Sequence, residues 1–262
     1  MNRIDNAFKV LKKNKKKAFI AFVTSGYPSL NITEKLILAL DKSKVDVIEL
    51  GVPFSDPMAD GPVIQEASFE ALKHNTRLVD ILQLVKKLRT KVNAPLLLMT
   101  YYNPIFSYGD DKFIRKAKES GLDGVIIPDL PFDEGRDFII KANKAGLYNI
   151  SFVSPTTSAS RIKLICKIAR GFIYYLSLTG VTGMRRVLPY GIKRNIGIIK
   201  KHTSLPVCVG FGVSSRTQVE KILKYADGVI VGSAIVSEIK KNINSPLLVK
   251  RVEGFVKRLN NK

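Results

Sequence analysis

Apolar residues fall in short continuous blocks along this chain, separated by stretches in which they recur every three or four positions. The blocks are Ala18 to Thr24, Val45 to Leu50, Pro95 to Tyr101, Gly124 to Pro128, Asn149 to Val153, Phe172 to Leu176, Pro206 to Val209 and Gly228 to Val231. Runs without alternation are expected of strands buried on both faces of a parallel sheet. Leu78, Ile81, Leu82, Val85 and Leu88 keep helical spacing, as do Ile162, Ile165, Cys166 and Ala169, and Val219, Ile222, Leu223 and Ala226. Helices end at glycine before a new strand, as at Gly121 and Gly146, where a left-handed residue stops the helix. Eight strand–helix units in one domain spanning residues 1–262 predict a closed (β/α)8 TIM barrel. An open dinucleotide-binding sheet would carry a glycine-rich loop after its first strand, and Thr24-Ser25-Gly26-Tyr27-Pro28 is not one. An additional N-terminal helix, about Ile4 to Lys13, is expected to cover the barrel bottom, and a last helix runs from about Ser245 to Leu259.

Composition changes this picture little. No apolar run approaches the ~20 residues that cross a bilayer, and the N-terminus lacks a secretory signal. A soluble intracellular protein is expected, in bacterial cytoplasm or, given the lysine-, isoleucine- and asparagine-rich composition, in the stroma of a plastid that encodes it. Cys166 and Cys208 read as buried small residues rather than a disulfide, and His74 and His202 lack partners at metal-ligand spacing. The net charge of +21 raises the question of nucleic acid. Apart from a cluster from Lys12 to Lys17 the cations are dispersed, and no binding motif accompanies them, so no specific nucleic-acid partner is expected. The field would favour a phosphorylated substrate.

In a barrel, residues at the carboxyl ends of the strands and in the loops that follow converge on one face. Glu49 stands in an apolar strand near that end, where burial would raise its pKa toward neutrality and make it a proton donor and acceptor; a structural carboxylate with a local partner is the alternative. The loop Gly51-Val52-Pro53-Phe54-Ser55-Asp56-Pro57-Met58-Ala59-Asp60-Gly61-Pro62 follows, and its prolines and glycines can aim Asp60 back over the mouth. Two carboxylates in one pocket can divide proton exchange from charge stabilisation. Asp56, between prolines, has the weaker claim. Gly180-Val181-Thr182-Gly183, Gly210-Phe211-Gly212 and Gly232-Ser233 follow the last three strands, the usual place for a phosphate cup, with simple turn punctuation as the other reading.

The stretches FVTSGYP, IELGVPFSDPMADGPVIQEAS, LLLMTYYNPIFSYG, GVIIPDLP, FVSPTTS, SLTGVTG, CVGFGVSS and ADGVIVGSAIV, taken in order, resemble the α subunit family of tryptophan synthase along nearly the whole chain. The resemblance implies a lyase that cleaves indole-3-glycerol phosphate to indole and glyceraldehyde 3-phosphate by a retro-aldol step. Glu49 would be the acid/base, and Asp60 would stabilise the indole cation. Phe22, Tyr101, Asp129, Tyr174 and Phe211 would surround the indole, and Thr182, Gly183, Gly212, Gly232 and Ser233 the phosphate and lid. No cofactor is expected in this chain; pyridoxal phosphate belongs to the β subunit of an α2β2 heterotetramer. Pro53 to Pro57 and Asn103 to Phe106, read as apolar loops on the catalytic face, would dock that partner, unless Phe54 and Phe106 fold inward. Some family members carry arginine where this chain has Leu178; Arg185 or Arg186 would take its place in a lid from Thr179 to about Pro189. A related phosphate-binding barrel would share the glycine loops but not the pair formed by Glu49 and Asp60.

Overall fold

Two sets of apolar side chains, one inside a ring of strands and one outside it, organise the molecule. A computed structural model of the protein describes residues 1–176, 191–210 and 212–260. Among these the strands are β1 (Ala18–Thr24), β2 (Val47–Gly51), β3 (Leu96–Met99), β4 (Gly124–Ile126), β5 (Tyr148–Asn149), β6 (Ser151–Val153), β7 (Ile173–Leu176), β8 (Val207–Gly210) and β9 (Gly228–Val231). The helices are α1 (Arg3–Lys13), α2 (Leu30–Lys42), α3 (Pro62–Lys73), α4 (Leu78–Leu88), α5 (Tyr102–Tyr108), α6 (Asp110–Ser120), α7 (Arg136–Lys144), α8 (Ala159–Ile168), α9 (Ile192–Lys200), α10 (Arg216–Leu223), α11 (Ser233–Lys241) and α12 (Leu248–Asn260).

The strand order is β5-β4-β3-β2-β1-β9-β8-β7-β6, and the pairings are parallel. Strands β5 and β6 are one run interrupted at Ile150, whose amide donates to Val125 O at 2.9 Å, so the sheet returns on itself as a TIM barrel. The fifth predicted strand, Asn149 to Val153, is therefore broken. Successive strand residues point to opposite sides. Ile20, Val47, Leu97, Ile126, Ile150, Phe172, Cys208 and Ile230 fill the interior. Their neighbours Ala21, Ile48, Leu98, Val125, Ile173, Val209 and Val229 pack outward with the helices. This double burial is why the strands read as continuous apolar blocks.

Helix α1 closes the amino-terminal end of the barrel. Asn2 caps it by accepting from Ile4 N at 2.9 Å, and its amide donates to Asp123 O at 2.8 Å and Gly146 O at 3.0 Å. Asp123, almost fully buried, takes Arg3 at 3.1 Å, Arg89 at 3.2 Å and the Leu96 amide at 2.9 Å. Ile4 enters the interior, where a β-carbon on Gly124 would come within 3.3 Å of it. Gly124 at the bottom of β4 thus makes room for the plug.

Several local expectations need correction. Asn103 to Phe106 is helical, within α5, rather than a loop. Pro104 is tolerated because it lies in the first turn, where backbone N–H groups have no intrahelical acceptor. The last helix starts at Leu248 rather than near Ser245. Cys208 is fully buried inside the barrel, whereas Cys166 is only half-buried on α8.

Candidate active site

Strand β2 sets the position of the central carboxylate. Val47, Glu49 and Gly51 alternate with Ile48 and Leu50, and since Val47 faces the interior so does Glu49. Its register neighbours are Phe22 on β1 and Leu97 on β3. Glu49 is 0% exposed, and among the described residues neither carboxylate oxygen has a hydrogen-bond partner. Burial without compensation pushes its pKa up to about 8. At neutral pH the group therefore holds a proton it can donate, and its conjugate base is a strong enough acceptor to recover one.

The β2–α3 loop brings in the second carboxylate. It turns through bonds from Met58 N to Asp56 O and from Asp60 N to Pro57 O, and the Gln65 amide reaches back to Asp60 O at 3.0 Å. Ser68 fastens the front of the loop, accepting from Phe54 N and donating to Phe54 O. Asp60 is buried, and its Oδ2 accepts from the Tyr101 hydroxyl at 3.0 Å; that hydroxyl itself accepts from Ala59 N at 3.0 Å. Burial raises the Asp60 pKa and the Tyr101 bond lowers it, leaving it at about 6. Oδ1 is buried without a partner among the described residues. The pair can thus be differently charged near pH 7, Glu49 neutral and Asp60 ionised.

Aromatic rings wall the space. Phe22 lies over Gly51, where a β-carbon would meet its ring at 2.5 Å, and beside Gly232 at 3.4 Å. Tyr174, on β7, occupies the space above Gly210 and feels the charges of both Glu49 and Asp60; burial first, then those charges, lift its pKa well above the usual phenol value. Phe54 stacks on Tyr101 with centroids 5.1 Å apart. The structure therefore brings together Phe22, Glu49, Asp60, Tyr101 and Tyr174. Asp129 is exposed and accepts from Tyr102 N at 2.9 Å, so its visible contact is with the first turn of α5.

On the other side of the mouth Ser233 is the buried first residue of α11, with Gly232 at the cap, so backbone N–H groups and the positive end of the helix face this rim. Gly212 has a φ of 26°, which glycine accommodates more readily than residues with a side chain. Thr182, Gly183 and Phe211, with Leu178, Arg185, Arg186 and the lid from Thr179 to Pro189, lie outside the described residues. One site residue escaped sequence reasoning. Thr24, at the end of β1, lines the same crevice as Asp60 and Tyr101 with a buried hydroxyl that has no partner among the described residues. Its position at a strand's carboxyl end was the available signal.

The apolar surface beside this site divides. Phe54 turns inward onto Tyr101, while Met58, Phe69 and Phe106 are 74%, 61% and 69% exposed. No helix among the described residues is long and apolar enough to cross a membrane.

Known proteins share both sequence and shape with this chain. A tryptophan synthase alpha chain from Thermoanaerobacter sp. (strain X514) is 44% identical over 259 residues, covering 99% of this chain and 98% of its own. One from Geotalea daltonii is 48% identical over 241 residues, covering 92% and 91%. The crystal structure of the alpha chain from Legionella pneumophila superposes with a TM-score of 0.91 at 37% identity, over 100% of this chain and 97% of that one. A chain of Mycobacterium tuberculosis tryptophan synthase superposes at 0.90 and 34%, over 99% and 97%. The model of the family described as "Tryptophan synthase alpha chain" matches residues 8–261, and this chain belongs to that family: it is the α subunit lyase of tryptophan biosynthesis, cleaving indole-3-glycerol phosphate to indole and glyceraldehyde 3-phosphate.

Proposed function

We propose that Glu49 and Asp60 carry this cleavage with separate roles, and the observation behind the proposal is their unequal burial chemistry. Glu49, neutral at pH 7, donates its proton to C3 of the indole ring. The ring becomes cationic at nitrogen, and Asp60, ionised, balances that charge through its unpartnered Oδ1 while Oδ2 stays with Tyr101. Glu49, now a carboxylate, takes the proton from the hydroxyl beside the scissile bond. The electron pair of that O–H becomes the aldehyde carbonyl as the C–C bond breaks, and its bonding electrons neutralise the ring. Glu49 ends protonated, indole and glyceraldehyde 3-phosphate leave, and the proton count balances. Phe22 and Tyr174 flank the ring. Gly212, Gly232 and Ser233 hold the phosphate, joined by Gly183, with Thr182 and Phe211 completing the pocket. Asp129 stands at the α5 edge of the indole pocket, a reading supported by its bond to Tyr102 N beside Tyr101.

The α chain of this family has no cofactor of its own and works with a β subunit. We further propose an α2β2 assembly in which pyridoxal phosphate sits in the β subunit and the exposed Met58, Phe69 and Phe106 face it. An apolar surface at the rim of a site is better covered than solvated. Cytoplasm, or a plastid stroma, suits such an enzyme. The direct test incubates the purified chain with indole-3-glycerol phosphate, alone and with β subunit from the same source, and follows indole together with sedimentation. A complex at micromolar concentration with faster cleavage is expected. Unchanged cleavage and no complex would overturn the docking proposal, and no indole under any condition would overturn the assignment of roles.

A further inference from the structure

The amino-terminal end of the barrel, opposite the mouth, has a cavity of about 580 Å³ whose wall is unusually cationic. Lys12 lies in the last turn of α1, Lys15 in the turn that follows, Lys16 and Lys17 lead into β1, and Lys200 ends α9. Five lysines and one carboxylate, Asp227, thus line the cavity. That carboxylate takes Lys17 at 3.0 Å and Lys200 at 2.8 Å, and its Oδ2 also accepts from Val207 N at 3.1 Å. Among the described residues Lys12, Lys15 and Lys16 have no carboxylate partner.

This arrangement differs from a solvated lysine face in three ways. It is concave, with the volume of a small-molecule site. Two of its cations are already fixed by Asp227, and each ammonium keeps further N–H donors for an anion. Its floor is apolar, formed by Phe8 and Leu11 from one side and Leu205 and Pro206 from the other, while Thr203 and Ser204 stand at the edge. Like charges gathered in a concave surface raise the local potential and repel one another, and a multiply charged anion relieves that repulsion. A single carboxylate or phosphate would leave most of the surplus uncompensated, and a bare polyphosphate would leave the apolar floor wet.

We propose that this cavity binds a nucleoside triphosphate, its phosphates among Lys12, Lys15, Lys16, Lys17 and Lys200 and its base against Phe8, Leu11 and Pro206. The site is separate from the catalytic mouth and rests on none of the roles assigned there.

The test titrates ATP and inorganic tripolyphosphate into the protein by calorimetry at physiological salt. The proposal expects saturable ATP binding, and weaker binding of tripolyphosphate, which cannot use the floor. The triple variant Lys12→Glu, Lys15→Glu, Lys16→Glu changes exposed residues, so it should fold and cleave indole-3-glycerol phosphate normally while binding ATP at least about tenfold more weakly. A control variant with the same change of net charge, Lys91→Glu, Lys163→Glu, Lys250→Glu, should bind ATP like the parent. Equal loss in the control would reduce the effect to net charge and overturn the proposal. So would absence of ATP binding at millimolar concentration, displacement of ATP by glycerol phosphate, or tripolyphosphate binding as tightly as ATP.

Discussion

The hydroxyl of Tyr101 donates to Asp60 Oδ2 at 3.0 Å, joining the end of the third barrel strand to a loop 41 residues earlier. Burial lifts the Asp60 pKa and this bond holds it down at about 6. Tyr101→Phe should therefore raise the Asp60 pKa and move the acidic limb of the kcat/KM profile upward. The variant-to-parent ratio should fall to a low plateau below about pH 6 and recover toward 1 as the pH rises above the raised pKa. If Tyr101 serves only to pack against Phe54, the ratio will be the same at every pH.

Glu49 should cost the fold stability in a pH-dependent way. Its folded pKa of about 8 lies above the ordinary 4.5, so the folded protein keeps a proton that the unfolded chain releases. That contribution is fully present below about pH 4.5 and is lost as the pH rises through about 8. Glu49→Gln cannot ionise and should become progressively more stable than the parent between pH 5 and 8, by a few kcal/mol at most. Parallel denaturation curves for the two proteins across this range would contradict the assigned shift.

Asp60→Asn keeps the hydrogen-bonding shape but removes the charge that balances the indole cation. Because that cation exists only along the reaction path, kcat should fall by about tenfold or more while substrate affinity changes little. Lost affinity with an unchanged rate of the bound complex would make Asp60 a binder of the ground state instead.

Gly212→Asp or Ser233→Asp would put a carboxylate at the rim where the α11 helix end faces the mouth. Each should weaken glycerol phosphate binding by about tenfold or more through like-charge repulsion. Calorimetry on the folded variants decides it, and unaltered affinity would remove these residues from the phosphate site.

Much of this architecture was legible because burial on both faces leaves a simple signature. The runs Ala18 to Thr24 and Gly228 to Val231 coincide with β1 and β9, and the helical spacing from Leu78 to Leu88 coincides with α4. Glu49 stood out because a carboxylate interrupts such a run. What escaped depended on three-dimensional context. The break at Ile150 leaves no trace in hydropathy, because Ile150 is as apolar as its strand requires. Helix α5 hid behind Asn103-Pro104, which reads as a turn unless the proline is known to fall in a first helical turn. The Tyr101–Asp60 bond and the unpartnered Thr24 hydroxyl arise from residues distant in sequence, so no local pattern encodes them.

The central claim is that the buried, unpaired carboxyl of Glu49 moves the protons of the cleavage, and single-turnover release of indole by Glu49→Gln tests it most directly. The amide preserves size and polarity but cannot exchange a proton, so the rate should fall by 10²-fold or more, roughly the scale of general acid/base catalysis, with substrate still bound and the fold intact. A folded Glu49→Gln protein that releases indole at nearly the parent rate would contradict the account.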